Sequence, residues 1–267
     1  MNMNTKSRIS SILKANTLDV SMVGLQSFNL SELQLDHDLD FLLPTNIRLG
    51  HLVEKIVSEF IRLSSNYEVL YENVQIIKDK KTIGEIDFII EEVQSKQVFH
   101  LELAYKFYLY DPNISSEEIN NWIGPNRNDS LREKLEKVKT KQFPLLFHDS
   151  TKSEFKNINV DEAEQSLCLF VSLFVPYKHK GGFSHMYKNA IQGYYLNLET
   201  FRSLDNATKT YHLPSKKHWG MDPSDNVVWT NFQGVENLMT TFMKEKQAPL
   251  CWQKCNGTYL MFFIVWW

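Results

Sequence analysis

GEIDFIIEEVQSKQVFHLELAYKFYLY, residues 84–110, decides how the rest of the chain is read. It divides into two strands joined by a polar turn at Glu92 to Lys96. In the second strand Phe99, Leu101, Leu103, Tyr105, Phe107 and Leu109 alternate with His100, Glu102, Ala104 and Lys106. Period-two alternation of this kind predicts a strand packed on one side only. The first strand sets Glu85 and Asp87 against Ile86, Phe88 and Ile90. If the strands pair, Asp87, Glu102 and Lys106 converge on one polar surface, and two facing carboxylates form a seat for a hard cation.

An acid near a strand start, then a second acid and a lysine on the next strand, resembles the PD-(D/E)XK nuclease superfamily. The chain as a whole is similar to a bacterial family of unknown function, domain of unknown function 1853, placed near that superfamily. The residues that carry the likeness are Leu49-Gly50-x-x-x-Glu54, Gly84-Glu85-x-Asp87, Leu101 to Leu109 with Glu102 and Lys106, and Gly124-Pro125-Asn126 followed by Asp129 to Lys134. They cover roughly the middle third to half of the chain. The resemblance implies an α/β fold with a restriction-endonuclease-like core, a mixed β-sheet flanked by helices. It implies Glu54, Asp87, Glu102 and Lys106 as catalytic residues, with Asp87, Glu102 and Glu54 holding Mg²⁺ or Mn²⁺. One departure stands out. The lysine usually follows the second acid by two positions, and here Ala104 occupies that place. On an ideal strand Lys106 lies roughly 13 Å from Glu102, against about 7 Å for the usual spacing.

Composition bounds the possibilities. The 267 residues are 43% hydrophobic and 13% aromatic, enough for one substantial core and at most two domains. A net charge of −3 supplies no general field for polyanions, so any contact with nucleic acid falls to a local patch. Three cysteines argue against a disulfide framework and for a reducing compartment. The N-terminus has no apolar run of secretory length, and YLMFFIVWW at the C-terminus is too short to span a bilayer. The expectation is a cytoplasmic protein without a membrane partner. Nothing in the sequence sets an oligomeric state.

In chain order, residues 1–45 read as a helical lead-in, and 46–267 as a single α/β domain that turns β-rich from about residue 176. A helix capped by Thr45 or Asn46 carries the apolar stripe Leu49, Leu52, Val53, Ile56 and Phe60. Glu54 sits at the edge of that stripe, equally a solvated glutamate and a site residue. A strand over Glu68 to Ile77 and a turn at 78–81 precede the central pair. Residues 111–122 read as a polar loop, ended by turn chemistry at Trp122 to Asn126. Ser130 and Glu133 make a capping-box pair opening a helix to about Gln142, with Leu131, Leu135 and Val138 inward. Arg127, Lys134 and Gln142 are candidates for phosphate contact, although such residues more often form a solvated face.

Ser166 to Val175 is apolar on both faces and predicts an interior strand, with Cys168 a small core residue. The last third reads as antiparallel strands with turns at Asp222 to Asn226 and Asn256-Gly257, and one helix, Gly234 to Lys246, between them. Lys216 to Trp219 and Trp229 are candidates for base stacking, weighed against ordinary core packing. His100 is a candidate metal ligand, weighed against the commoner fate of a lone strand histidine, a hydrogen-bonded bystander. Cys251, Cys255, His212 and His218 lack structural zinc spacing, and there is no Walker loop, G-x-G-x-x-G or G-x-S-x-G. Two functions remain. One is a metal-dependent nuclease acting on DNA or RNA. The other is a catalytically inactive protein of that fold binding nucleic acid or a protein.

Overall fold

The computed structural model describes residues 3–35, 39, 41–152, 154, 155 and 157–267. Residues 1, 2, 36–38 and 40 of the expected lead-in lie outside the described residues. The fold is mixed α/β, a large mixed sheet flanked by helices. The strands are β1 (Gln26–Ser27), β2 (Tyr67–Lys78), β3 (Lys81–Glu92), β4 (Val98–Tyr110), β5 (Trp122–Ile123) and β6 (Glu164–Pro176). They continue with β7 (Ile191–Asn197), β8 (Lys209–His212), β9 (Leu250–Cys255) and β10 (Thr258–Val265). The helices are α1 (Met3–Leu13), α2 (Leu49–Leu63), α3 (Leu131–Lys137), α4 (Phe143–Leu145) and α5 (Asp149–Lys152). Three more follow, α6 (His185–Lys188), α7 (Leu198–Leu204) and α8 (Phe232–Lys244).

The chain forms two compact units, and β4 and β6 contribute residues to each. The first unit comprises the segments through Leu13, Thr17–Tyr105 and Glu133–Phe170. Its centre is an antiparallel β2–β3–β4 meander, and β1 lies parallel to the start of β6. Asp79 and Lys80 both take positive φ, which makes the two-residue turn whose twist suits a hairpin. Ile76, Ile86, Ile89, Leu145, Leu146, Phe155 and Val160 close a core over this meander. The predicted stripe of α2 is buried, joined by Val57 and Ile61. Ile9, Ile12, Leu18, Val20 and Phe28 of the lead-in are also buried in this unit.

The second unit comprises Lys14–Asn16, Lys106–Arg132 and Val171–Trp267. Here β7 runs parallel both to the end of β6 and to β10, while β9 and β8 follow antiparallel. Leu196, Phe201, Tyr211, Val235, Met239, Cys251, Phe262 and Ile264 form its core.

Several expectations are corrected. The strand expected to pack on one side, β4, is covered on both, with His100, Glu102 and Ala104 as buried as Leu101 and Leu103. Its polar residues find partners from the chain beyond α3, so burial does not require an apolar face. Helix α2 begins at Leu49 with Arg48 preceding it and no side-chain cap, later than Thr45 or Asn46. Trp122 and Ile123 are not loop but pair with Tyr110 and Leu109. The helix expected to reach Gln142 is regular only to Lys137, and Val138–Gln142 is a π-turn. The last third is not uniformly antiparallel, while the turn expected at Asp222 to Asn226 is present as a short 3₁₀ turn, Pro223–Asp225. Cys168 is a buried, free thiol, as expected of a core residue.

Candidate functional site

The site grows from the register of β3 against β4. Their ladder pairs Glu91 with Val98 and steps down to Phe88 with Leu101. One further step puts Asp87 opposite Glu102, on the same face. There the ladder gives way to a side chain, because the Leu103 N–H donates to Asp87 Oδ2 at 2.8 Å. The carboxylate takes the place of a backbone acceptor, which fixes Asp87 at the point where the strands stop pairing.

Glu102 is fully buried, and both its oxygens are engaged. Oε1 lies 2.9 Å from His100 Nε2, and Gln142 Nε2 donates to Oε2. The tautomers follow from the donors. Gln165 Nε2 donates to the Phe143 carbonyl at 2.7 Å, which assigns its amide, and the same nitrogen lies 3.0 Å from His100 Nδ1. Nδ1 therefore accepts, and the ring proton on Nε2 points at Glu102. Gln142 is assigned likewise. Lys134 Nζ, a donor only, sits 2.9 Å from Gln142 Oε1, which leaves the Gln142 amide nitrogen for Glu102. Lys134, Gln142, Glu102, His100 and Gln165 form one hydrogen-bonded row inside the first unit.

Burial pushes the Asp87 carboxyl up to about 8. The Glu102 charge adds to the rise, the Leu103 N–H opposes it, Glu54 raises it further and Lys134 lowers it. Two carboxylates close together in a poorly solvated place cannot both ionise cheaply. Glu54 comes from α2, with Oε2 2.9 Å from His51 Nδ1 and a side chain 20% exposed. A methyl at Gly50 would lie 3.9 Å from Glu54 Oε1, so the glycine leaves this face of the helix open.

The remaining candidates lie in the second unit. Lys106 Nζ is 2.7 Å from Asp129 Oδ2. Gly124 makes room for that acid, since a Cβ there would meet Asp129 Oδ1 at 2.1 Å. Arg127 pairs with Asp111 at 3.0 Å and covers the Trp267 ring at 4.5 Å. Trp219 packs edge-on against Phe107 and Phe263, and its indole N–H donates to the Pro214 carbonyl. The Trp229 indole is likewise used, by the Asn226 carbonyl.

Sequence reasoning located Asp87 and Glu102 through alternation, and Lys134 and Gln142 through the helix that bears them. It passed over Gln165, while His100 is hydrogen-bonded as expected, with Glu102 and Gln165 as its partners. The signal for His100 was its place two residues before Glu102, on the same face. Among the described residues, no three His, Cys, Asp or Glu side chains form a group arranged to hold a metal ion. Also among them, no helix is long and apolar enough to cross a membrane.

These features define a mixed α/β protein with a carboxylate pair at a point of strand divergence, one member buried and wired to a histidine and a lysine-bound glutamine. The family model described as Domain of unknown function (DUF1853) matches residues 4–259, and the chain belongs to that family. No curated protein and no solved structure matches it.

Proposed function

We propose that this chain is a cytoplasmic, metal-dependent nuclease with a restriction-endonuclease-like core, hydrolysing phosphodiester bonds in DNA or RNA. The observation that carries the reading is the placement of Asp87 opposite Glu102 at the end of their ladder, with the Glu54 charge acting on Asp87. The donor chemistry suits Mg²⁺ or Mn²⁺, which prefer hard oxygens. Asp87 and Glu102 would hold the ion, with Glu54 joined through water. The raised Asp87 carboxyl is consistent with this, because burial first and the Glu102 charge second disfavour its ionised form, which a bound cation would favour. When bound, such an ion lowers the pKa of water and polarises a phosphate oxygen.

The chain's own residues do the rest. Asp87 is anchored by the Leu103 amide, so its free oxygen has a fixed direction. His100 and Gln142 hold the Glu102 carboxyl in one orientation, a preorganisation that costs no rearrangement during reaction. Full burial of Glu102, with Gln142 bonded to it, limits competing water around its carboxylate.

A digestion panel tests the proposal, with single- and double-stranded DNA and RNA in Mg²⁺ or Mn²⁺. Cleavage of at least one polymer is expected, with a loss of about 10²-fold or more in Asp87→Asn. Asn still accepts from Leu103, so the fold is kept. Metal-independent cleavage, or equal cleavage by the variant, defeats the reading of a metal-dependent nuclease at this site. A second reading, a catalytically inactive protein binding nucleic acid or protein, is favoured by the full engagement of both Glu102 oxygens. Its mark is polymer binding with no cleavage in any metal.

A further inference from the structure

We infer that Lys134, aimed by the π-turn Val138–Gln142, is the lysine of the candidate site and presents its ammonium to a backbone phosphate of nucleic acid. The inference rests on the nuclease reading and assigns the cation that β4 does not supply. Ala104, two residues beyond Glu102, is buried and carries no charge. Lys106, four residues beyond, is held by Asp129 in the second unit.

Geometry brings Lys134 into play. Eight steps of regular helix would leave residues 134 and 142 about 80° apart around the axis. Five of the steps fall in a π-turn, where each turns roughly 82°, and the offset shrinks to about 10°. Lys134 and Gln142 thus share a face, which is what their 2.9 Å contact requires. Gln142 in turn donates to Glu102, so Lys134 is one hydrogen-bonded residue away from the buried carboxylate. A π-turn costs regular helix bonding, and such turns recur at functional sites.

The surroundings fit a polyanion. Residues 131–142 carry Arg132, Lys134, Lys137, Lys139 and Lys141 against only Glu133 and Glu136. Arg132, Lys137, Lys139 and Lys141 are exposed, Lys134 is half-buried, and Gln142 reaches the interior. By the same turns Lys137 and Lys141 fall nearer to Lys134 around the axis than Arg132 and Lys139 do, so phosphates on those two would have Lys134 as their inner contact. Lysine suits this as a compact point charge, while Gln142 spends its amide fixing Glu102.

A purely architectural role would have Lys134 do no more than lock Gln142, and variants separate the two. Lys134→Gln keeps a donor toward Gln142 without the charge, and Lys134→Arg keeps both. Binding of a 20-nucleotide substrate to the full chain is measured by fluorescence anisotropy, with Ca²⁺ replacing Mg²⁺, over a series of KCl concentrations. The temperature is one at which melting curves show each variant folded. Lys134→Gln is expected to bind about tenfold more weakly, with the slope of log affinity against log salt reduced by about 1. Lys134→Arg should bind like wild type. If wild type binds and cleaves while Lys134→Gln binds with unchanged affinity and slope, the assignment of Lys134 is overturned and the nuclease reading stands. Wild type that neither binds nor cleaves any polymer overturns both.

Discussion

Asp87 concentrates the account at the scale of the residue, and its titration gives a sign that can be checked. The carboxyl is raised from 3.8 to about 8, chiefly by burial and then by Glu102. Between these values the folded chain keeps a proton that the unfolded chain has lost. Stability without metal should therefore be fully present below about pH 4, fall as pH rises toward 8, and level off above it, at no more than about 1.4 kcal/mol per pH unit. Urea titrations in EDTA at pH 5, 6.5 and 8 test this, and Asp87→Asn should flatten the decline. An undiminished slope in the variant would assign it to another group. At this scale the sequence yielded the acids, because alternation fixes the face a residue occupies. Partners were less visible. Lys106 shares parity with Glu102, yet its ion pair is with Asp129, 23 residues on, and periodicity carries no information about such pairs.

Among the elements, two features set the positions of side chains. One is the π-turn after α3, which leaves the apolar pattern Leu131, Leu135 and Val138 intact, so the pattern reads as ordinary helix. The other is β7, which enters between β6 and β10 with both neighbours parallel. Gly193 permits that closeness, since a Cβ there would lie 2.1 Å from the Met261 carbonyl oxygen. Backbone cannot swing aside as a side-chain end can, so Gly193→Ala should cost about 1–3 kcal/mol by chemical denaturation. A loss below about 0.5 kcal/mol would mean that β7 and β10 adjust freely. The antiparallel expectation failed here for a physical reason. Strand periodicity is the same in both senses, and only the long connection from β6 to β7 and the chain between β7 and β10 distinguish them. The 3₁₀ turn at Pro223–Asp225, by contrast, falls where Asp222 to Asn226 announce a turn, since Asp, Pro, Ser and Asn favour one.

For the molecule as a whole, composition and site agree on one point. With a net charge of −3 there is no general attraction for nucleic acid, so the proposed contact falls to the basic stretch 132–141. The mixed α/β class was legible from the interior strand at 166–175 and the amphipathic α2, both of which reappear as expected. Two-sided burial of β4 was not, because hydropathy scores Glu102 and His100 as solvent-facing, whereas they satisfy each other and are then covered. Everything proposed about function depends on the carboxylate pair being a seat for a divalent ion. Isothermal calorimetry of Mn²⁺ with the full chain at pH 8.5, where Asp87 is largely ionised, tests that directly. The account predicts one ion per chain for wild type and none for Asp87→Asn. No saturable heat in wild type, or the same binding in the variant, would contradict it.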